Sequence, residues 1–255
     1  MNTLLHYDLL RLEAFQKNHA VRNSIAISQE RELTLLKFKP INYFNYCLGK
    51  IETPHMLDLV REFYSDTVEK QHQILIDSRD EVSKSILSHR LDYRIDQKIA
   101  VMSLSSDEPH HRFFHPDIQL KEVTEKEISE FAWLYLDCFD AENRHAESVE
   151  ENFLHKLRVE GLKFYFVNWN DLHVGITGLY QNGDFQLLSV GAVKNTFRNL
   201  GFHKSALSWR IELCRSQNPE LPIFSWAYQN SISHMNMIKS GMKLHQEILA
   251  YKYVG

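Results

Sequence analysis

Residues Phe185 to Leu207 read FQLLSVGAVKNTFRNLGFHKSAL. The run from Phe185 to Val193 is apolar on both faces, the pattern of a central, buried strand. Gly191 and Ala192 near its end are small enough for a ligand or another backbone to come close. A polar turn follows. In it Asn195, Asn199 and Gly201 tolerate tight backbone conformations, and Arg198 and Lys204 bring positive charge. From Phe202 onward, Ala206, Leu207, Ile211 and Cys214 recur at helical spacing. A strand that feeds a turn and then a helix leaves main-chain N–H groups unpaired, and the helix dipole adds to their pull on negative charge. The stretch predicts an anion site suited to a phosphate-bearing ligand.

Working outward, Pro222 to Tyr228 reads as a strand, Asn230 precedes a helix that stops at Gly241, and Ile248 to Tyr253 reads as a last strand. Upstream, Asn182-Gly183 is the strongest short hairpin signal in the chain. It joins the opening stretch to His173–Tyr180, a strand paired across Asn170-Asp171 with Lys163–Trp169. Before these stand helices Glu125–Cys138 and Val149–Val159. Thr124, with Glu127 three residues on, gives the first of them a capping box. Ile118–Val123 is a further strand.

Ser105 to Pro116 (SSDEPHHRFFHP) breaks the alternation and reads as an inter-domain linker, solvated or docked. His110, His111 and His115 fall within it, but no Cys or carboxylate cluster completes a ligand set, so no metal is expected. The N-terminal part opens with an amphipathic helix, Leu4–Lys17, carrying Leu5, Leu9, Leu12 and Phe15 on one face. Thr34–Phe38, Asn42–Leu48, His72–Ile76 and Ile99–Leu104 read as strands. Helices follow Thr53-Pro54 and span Glu81–His89. This mixed order predicts an α/β chain with an α+β mixed sheet.

With 29 Lys and Arg against 33 Asp and Glu among 255 residues, the net charge of −4 gives no broad surface for nucleic acid. No run approaches the roughly 18 apolar residues of a membrane span, and the N-terminus lacks an apolar core and a cleavage site. A cytoplasmic protein with no membrane partner is expected. Cys47, Cys138 and Cys214 fit reduced, buried thiols. No feature fixes an oligomeric state.

Val193 and the run Arg198-Asn199-Leu200-Gly201-Phe202-His203 resemble the pyrophosphate-binding signature of the GNAT superfamily of acyl-CoA-dependent N-acyltransferases: Gln or Arg, two residues, Gly, one residue, then Gly or Ala. The element order from Ile118 onward is similar to that family's, and so is the block Asn230 to Met242, with Ser233, Lys239 and Gly241 at matching positions. The resemblance implies that Arg198, Asn199, Leu200, Gly201, Phe202, His203 and Lys204 hold a CoA pyrophosphate. It places the pantetheine arm against Gly191, Ala192 and Val193, with Asn230 in the same set. It further implies acetyl-CoA as co-substrate and a primary amine of a small molecule or peptide as acceptor, attacking the thioester directly.

Two departures stand out. His203 replaces Gly or Ala, which crowds the loop or adds a phosphate contact. Met237 falls where many members carry a Tyr that protonates the thiolate, and a thioether donates no proton. Tyr228, Ser233 and Tyr251 are the substitutes within reach of the pattern, each with packing or capping as its competing role. No carboxylate on the central strand offers a base beside Ser189. Asp137, Asp140, Glu142 and His145 lie in the loop that shapes the acceptor pocket in the family, and each equally fits a solvated loop. Tyr43–Gly49, the helix after Pro54 and Leu87–Met102 resemble the degenerate first half of two-domain GNAT proteins. The expected layout is two GNAT-like halves, each a twisted mixed sheet flanked by helices, over 1–115 and 116–255. The competing function is a CoA- or ligand-binding module without catalysis. A Rossmann-type nucleotide binder is disfavoured, because the paired glycines of that fingerprint are missing.

Overall fold

The computed structural model describes residues 3–18, 21–39, 41–141 and 146–255. Its first elements are α1 (Thr3–Gln16), β1 (Ile25–Glu30), β2 (Leu33–Phe38), β3 (Tyr46–Gly49), α2 (His55–Phe63), β4 (Gln73–Asp77), α3 (Glu81–Ser88) and β5 (Tyr93–Leu104). Then come β6 (Ile118–Glu122), α4 (Ile128–Cys138), α5 (Ala146–Leu157), β7 (Leu162–Trp169), β8 (Leu172–Gln181), β9 (Gln186–Val193), α6 (Phe202–Gln217), β10 (Ile223–Tyr228), α7 (Ile232–Lys239) and β11 (Lys243–Tyr253). The chain forms two compact units. One comprises Met1–Val101, Ala227–Ser231 and Leu244–Gly255; the other comprises Met102–Trp226 and Ile232–Lys243.

In the first unit the strands run in the order β1-β2-β3-β4-β11-β5. β3 and β4 are parallel, Tyr46 opposite Gln73, and β11 is antiparallel to β4, Ile248 opposite Asp77. Leu33, Leu35, Cys47, Ile74, Ile76 and Tyr251 form a core with Met56, Leu57 and Val60 of α2. β1 is absent from the sequence reading: a half-polar edge strand, IAISQE, buries only Ile25 fully and so carries little hydrophobic signal. The amphipathic reading of α1 accounts for Leu5, Leu12 and Phe15, but Asp8 lies on the buried side too. Its carboxylate accepts a hydrogen bond from the Tyr46 hydroxyl at 2.7 Å and pairs with Arg11.

The second unit holds β10-β9-β8-β7-β6. β7 and β8 meet across Asn170 and Asp171, both at positive φ (46° and 65°), the two left-handed residues that suit a right-twisted hairpin. The Asn182-Gly183 hairpin forms by different means. Asn182 Oδ1 accepts from the N–H groups of Asp184 and Phe185, at 2.9 and 3.0 Å, so the side chain closes a wider loop. Thr124 and Glu127 make the reciprocal capping box ahead of α4. Phe131 of α4 packs edge-on or tilted against Phe153, Phe164 and Phe166, fixing α4 and α5 on the sheet.

Candidate functional site

The turn between β9 and α6 supplies the candidate site. Asn199 and Gly201 adopt left-handed conformations, φ 65° and 83°. Alternating hand makes successive N–H groups converge into a concave nest. Among the described residues the N–H groups from Asn199 to Lys204 donate to no main-chain acceptor, and Ser205 is the first in use, bonding the Gly201 carbonyl at 2.9 Å. These amides and the positive end of α6 point into one place. That is the electrostatics of a phosphate site.

The cations around the nest are held by the protein. Arg198 donates from Nη2 to the Cys138 carbonyl at 2.9 Å and from Nε to the Val193 carbonyl at 3.3 Å, so its guanidinium braces the turn. Lys194 pairs with Asp137 at 2.9 Å, and Asn195 bonds Asp140. The end of α4 is thus tied to the beginning of the turn. Asp137 and Asp140, two of the acceptor-loop candidates, serve as tethers; Glu142 and His145 lie outside the described residues. Lys204 places its ammonium 4.2 Å from the centre of the Phe113 ring. That ring is also the neighbour of Gly201, 3.1 Å from where a Cβ would stand.

Phe113 belongs to the segment that reads as a linker from sequence. In the structure it lies along α6. The N–H groups of Phe113 and His115 donate to Ser208 Oγ and Ser205 Oγ at 3.0 and 3.1 Å. His110 bonds Glu212 at 2.5 Å, Trp209 Nε1 donates to the Ile118 carbonyl at 2.9 Å, and Phe114 packs on Trp209. His115 meets the edge of Phe202, and His111 holds the Ser240 carbonyl through its main-chain N–H. Each of the three histidines has a packing or hydrogen-bonding place along this strap.

Beyond the nest, β9 and β10 separate. They pair in parallel only at Gln186–Ile223 and Leu187–Phe224, and Ser225 Oγ then donates to the Leu188 carbonyl. Ser189 to Ala192 are half-buried and lie beyond the last β9–β10 pair, so the β10-facing edge of the central strand has no ladder partner there among the described residues. His203 does not reach over the nest. Its Nδ1 accepts from the Asn236 amide at 3.0 Å, and the ring lies beside the Gly191 carbonyl. Burial, helped by the nearby Arg210 charge, pushes its imidazole down to about 4, so it is neutral at pH 7. Met237 is buried on α7, and Ser233 is half-buried one turn before it. Tyr228, exposed, and Asn230, at φ 64°, belong to the segment Ala227–Ser231 of the first unit. Burial pushes the Cys138 and Cys214 thiols up to about 12, which removes them as nucleophiles at neutral pH.

No protein-family model matches the sequence, and no curated protein matches it either. Solved structures do. A GCN5-related N-acetyltransferase from Sphaerobacter thermophilus superposes with a TM-score of 0.67 at 12% identity, over 96% of this chain and 90% of that one. A second, from Kribbella flavida, gives 0.65 at 9% identity, over 97% and 96%. The chain has the GNAT fold. A tandem GNAT protein from the clavulanic acid biosynthesis pathway gives 0.60 at 10% identity, covering 95% of this chain and 86% of that one. At these identities the likeness concerns the fold. Chemistry has to come from the nest, the open edge of β9 and the side chains around them.

The sequence reading singles out Gly201, Arg198, Asn199 and His203, and the structure gathers all four at the β9–α6 turn. It passes over Phe113, Asn236 and Arg210. Phe113 sits in a segment with no periodicity, and Arg210 reads as an ordinary solvent-facing arginine on an amphipathic helix. The one available signal for Arg210 is its spacing of seven from His203, which puts both on one helix face.

Proposed function

We propose that this protein is an N-acyltransferase that binds acetyl-CoA through the nest at Asn199–Lys204 and passes the acetyl group to a primary amine of a small molecule or peptide. The unpaired amides of the β9–α6 turn carry this reading, because main-chain donors without acceptors at a helix N-terminus are what a pyrophosphate calls for. The open edge of β9 gives a pantetheine arm strand backbone to pair with near Ala192 and Val193. In the reaction the amine nitrogen attacks the thioester carbonyl, the C–S bond breaks, the ammonium proton leaves to solvent or a base, and the thiolate takes up a proton. A CoA thiolate, with a thiol-like pKa, leaves without a strong acid, which suits a site with Met237 in place of a hydroxyl donor. Tyr228 and Ser233 are the proposed proton donors.

We further propose that 1–115 and 116–255 are two copies of one plan, of which only the second holds the nucleotide. The turn after β3 explains the difference. There Ile51 N–H donates to Ser83 Oγ at 2.7 Å, Glu52 N–H meets Met56 Sδ at 3.3 Å, and Pro54, in place of a left-handed glycine, has no N–H. Two of the amides that would face a phosphate are thus engaged by side chains and a third is missing. Three buried free cysteines accord with a cytoplasmic setting. Among the described residues no helix is long and apolar enough to cross a membrane.

The buried Met237 and the tethered Asp137 and Asp140 favour one competing reading, a GNAT-like module that binds CoA without turnover. Thiol release from acetyl-CoA across a panel of amines separates the two. Turnover that disappears in Gly201→Val supports the enzyme, and saturable binding with no thiol release across the panel supports the module.

A further inference from the structure

α6 buries a guanidinium against the central strand. Arg210 is 3% exposed, and no carboxylate pairs with it among the described residues. Its Nη1 lies 3.3 Å from each of three carbonyls, those of Gly178, Ser189 and Val190, and its Nε lies 3.4 Å from that of Ala206. These three strand residues have one thing in common. The β8–β9 ladder pairs Thr177 with Gly191 and Leu179 with Leu188, so Gly178 stands against Ser189 and Val190 in a bulge. A bulge turns carbonyls out of the ladder, and buried carbonyls need donors. Arg210 supplies them from the helix side for Gly178 and Ser189, and shares the Val190 carbonyl with the Thr177 hydroxyl, which donates to it at 3.0 Å.

The same contact explains Gly191. A Cβ there would stand 2.9 Å from Arg210 Nη2, so the small residue at the end of β9 makes room for the guanidinium. The bulge lies just past Leu187, where β9 stops pairing with β10. Burying a guanidinium without a counter-charge is costly even with carbonyl partners, and burial lowers its pKa to about 10. A methionine or leucine would pack the helix–sheet interface at lower cost, were packing the whole task.

We propose that Arg210 is a positioning residue for the acyl donor: by holding the carbonyls of Gly178, Ser189 and Val190 it keeps the β8–β9 bulge formed, and so keeps the Ser189–Val193 edge of β9 turned away from β10 as the slot for the pantetheine arm. This rests on the acyl-CoA reading above. The hydrogen bonds of Arg210 all go to main-chain carbonyls outside the nest, so its loss is expected to act on donor binding through the strand edge.

The test uses the full chain and acetyl-CoA, with Arg210→Met, Arg210→Gln and Arg210→Lys compared with wild type by calorimetric titration, circular dichroism and, where turnover exists, steady-state kinetics. The expected result is a rise in acetyl-CoA Kd of about tenfold or more for Met and Gln, recovery to within about threefold for Lys, and an acceptor KM that does not move. A purely structural role gives a different pattern: fewer active molecules, a lower apparent kcat, and unchanged Kd in the folded fraction. Should Arg210→Met not fold, the Gln and Lys pair carries the same comparison. Folded variants that titrate like wild type overturn the role of Arg210 and leave acyl-CoA binding standing. A wild type that binds no acetyl-CoA overturns the acyl-CoA reading, and this role with it.

Discussion

Gly201 holds φ at 83° with the Phe113 ring 3.1 Å from its missing Cβ, so an alanine there meets strain and a neighbour at once. Gly201→Ala is expected to cost about 1 kcal/mol or more and to weaken acetyl-CoA binding, as thermal unfolding and titration of the same preparation will show. An unchanged melting temperature would contradict the strained geometry. His72 offers a test tied to pH. Its ring is stacked between Tyr64 and Tyr253, at 4.6 and 4.8 Å between centres, with Nδ1 donating to the Lys70 carbonyl and Nε2 accepting from the Tyr93 hydroxyl. Burial pushes its pKa down to about 4. The unfolded chain, with a histidine pKa of about 6.5, takes up this proton before the folded one does. Through His72, stability is therefore complete above about pH 6.5 and falls as the pH drops toward 4, by roughly 3 kcal/mol, and the similarly depressed His203 adds a loss of the same sign. Urea unfolding from pH 7 to pH 4 should show this loss in wild type and a flatter profile in His72→Gln. Gly201, Arg198 and His203 are legible in the sequence as positions. Their roles are less so, because a guanidinium that braces carbonyls and one that meets a phosphate look identical in one dimension.

At the level of elements, the segment before β6 is a strap along α6. Ser205 and Ser208 lie one turn apart on that helix and accept the main-chain N–H groups of His115 and Phe113. Ser208→Ala removes one acceptor, at a cost of about 1 kcal/mol, and is expected to speed hydrogen exchange at the Phe113 amide while leaving the core strands unchanged. Equal exchange in both proteins would show that the hydroxyl does not hold the strap. The periodic elements of the chain are readable because burial writes itself into spacing: α4, β7 and β8 come close to their expected limits. The strap is not, since its contacts run from main chain to side chains that are distant in sequence. The same holds for β1, whose edge position leaves it half polar, and for the turn at Asn182, where a side chain does the work expected of Asn-Gly backbone geometry.

For the molecule as a whole, one kind of turn has two outcomes. After β9 it ends in Gly201 with open amides; after β3 it ends in Pro54, with the Ile51 and Glu52 N–H groups taken by Ser83 and Met56. The proposed nucleotide site is accordingly a single one, in the second unit. Titration of the full chain with acetyl-CoA tests this most directly. The predicted result is one site with a Kd below roughly 100 μM, weakened by salt, lost in Gly201→Val and retained in Pro54→Ala. Absence of binding at high micromolar acetyl-CoA, or equal binding by Gly201→Val, would contradict it.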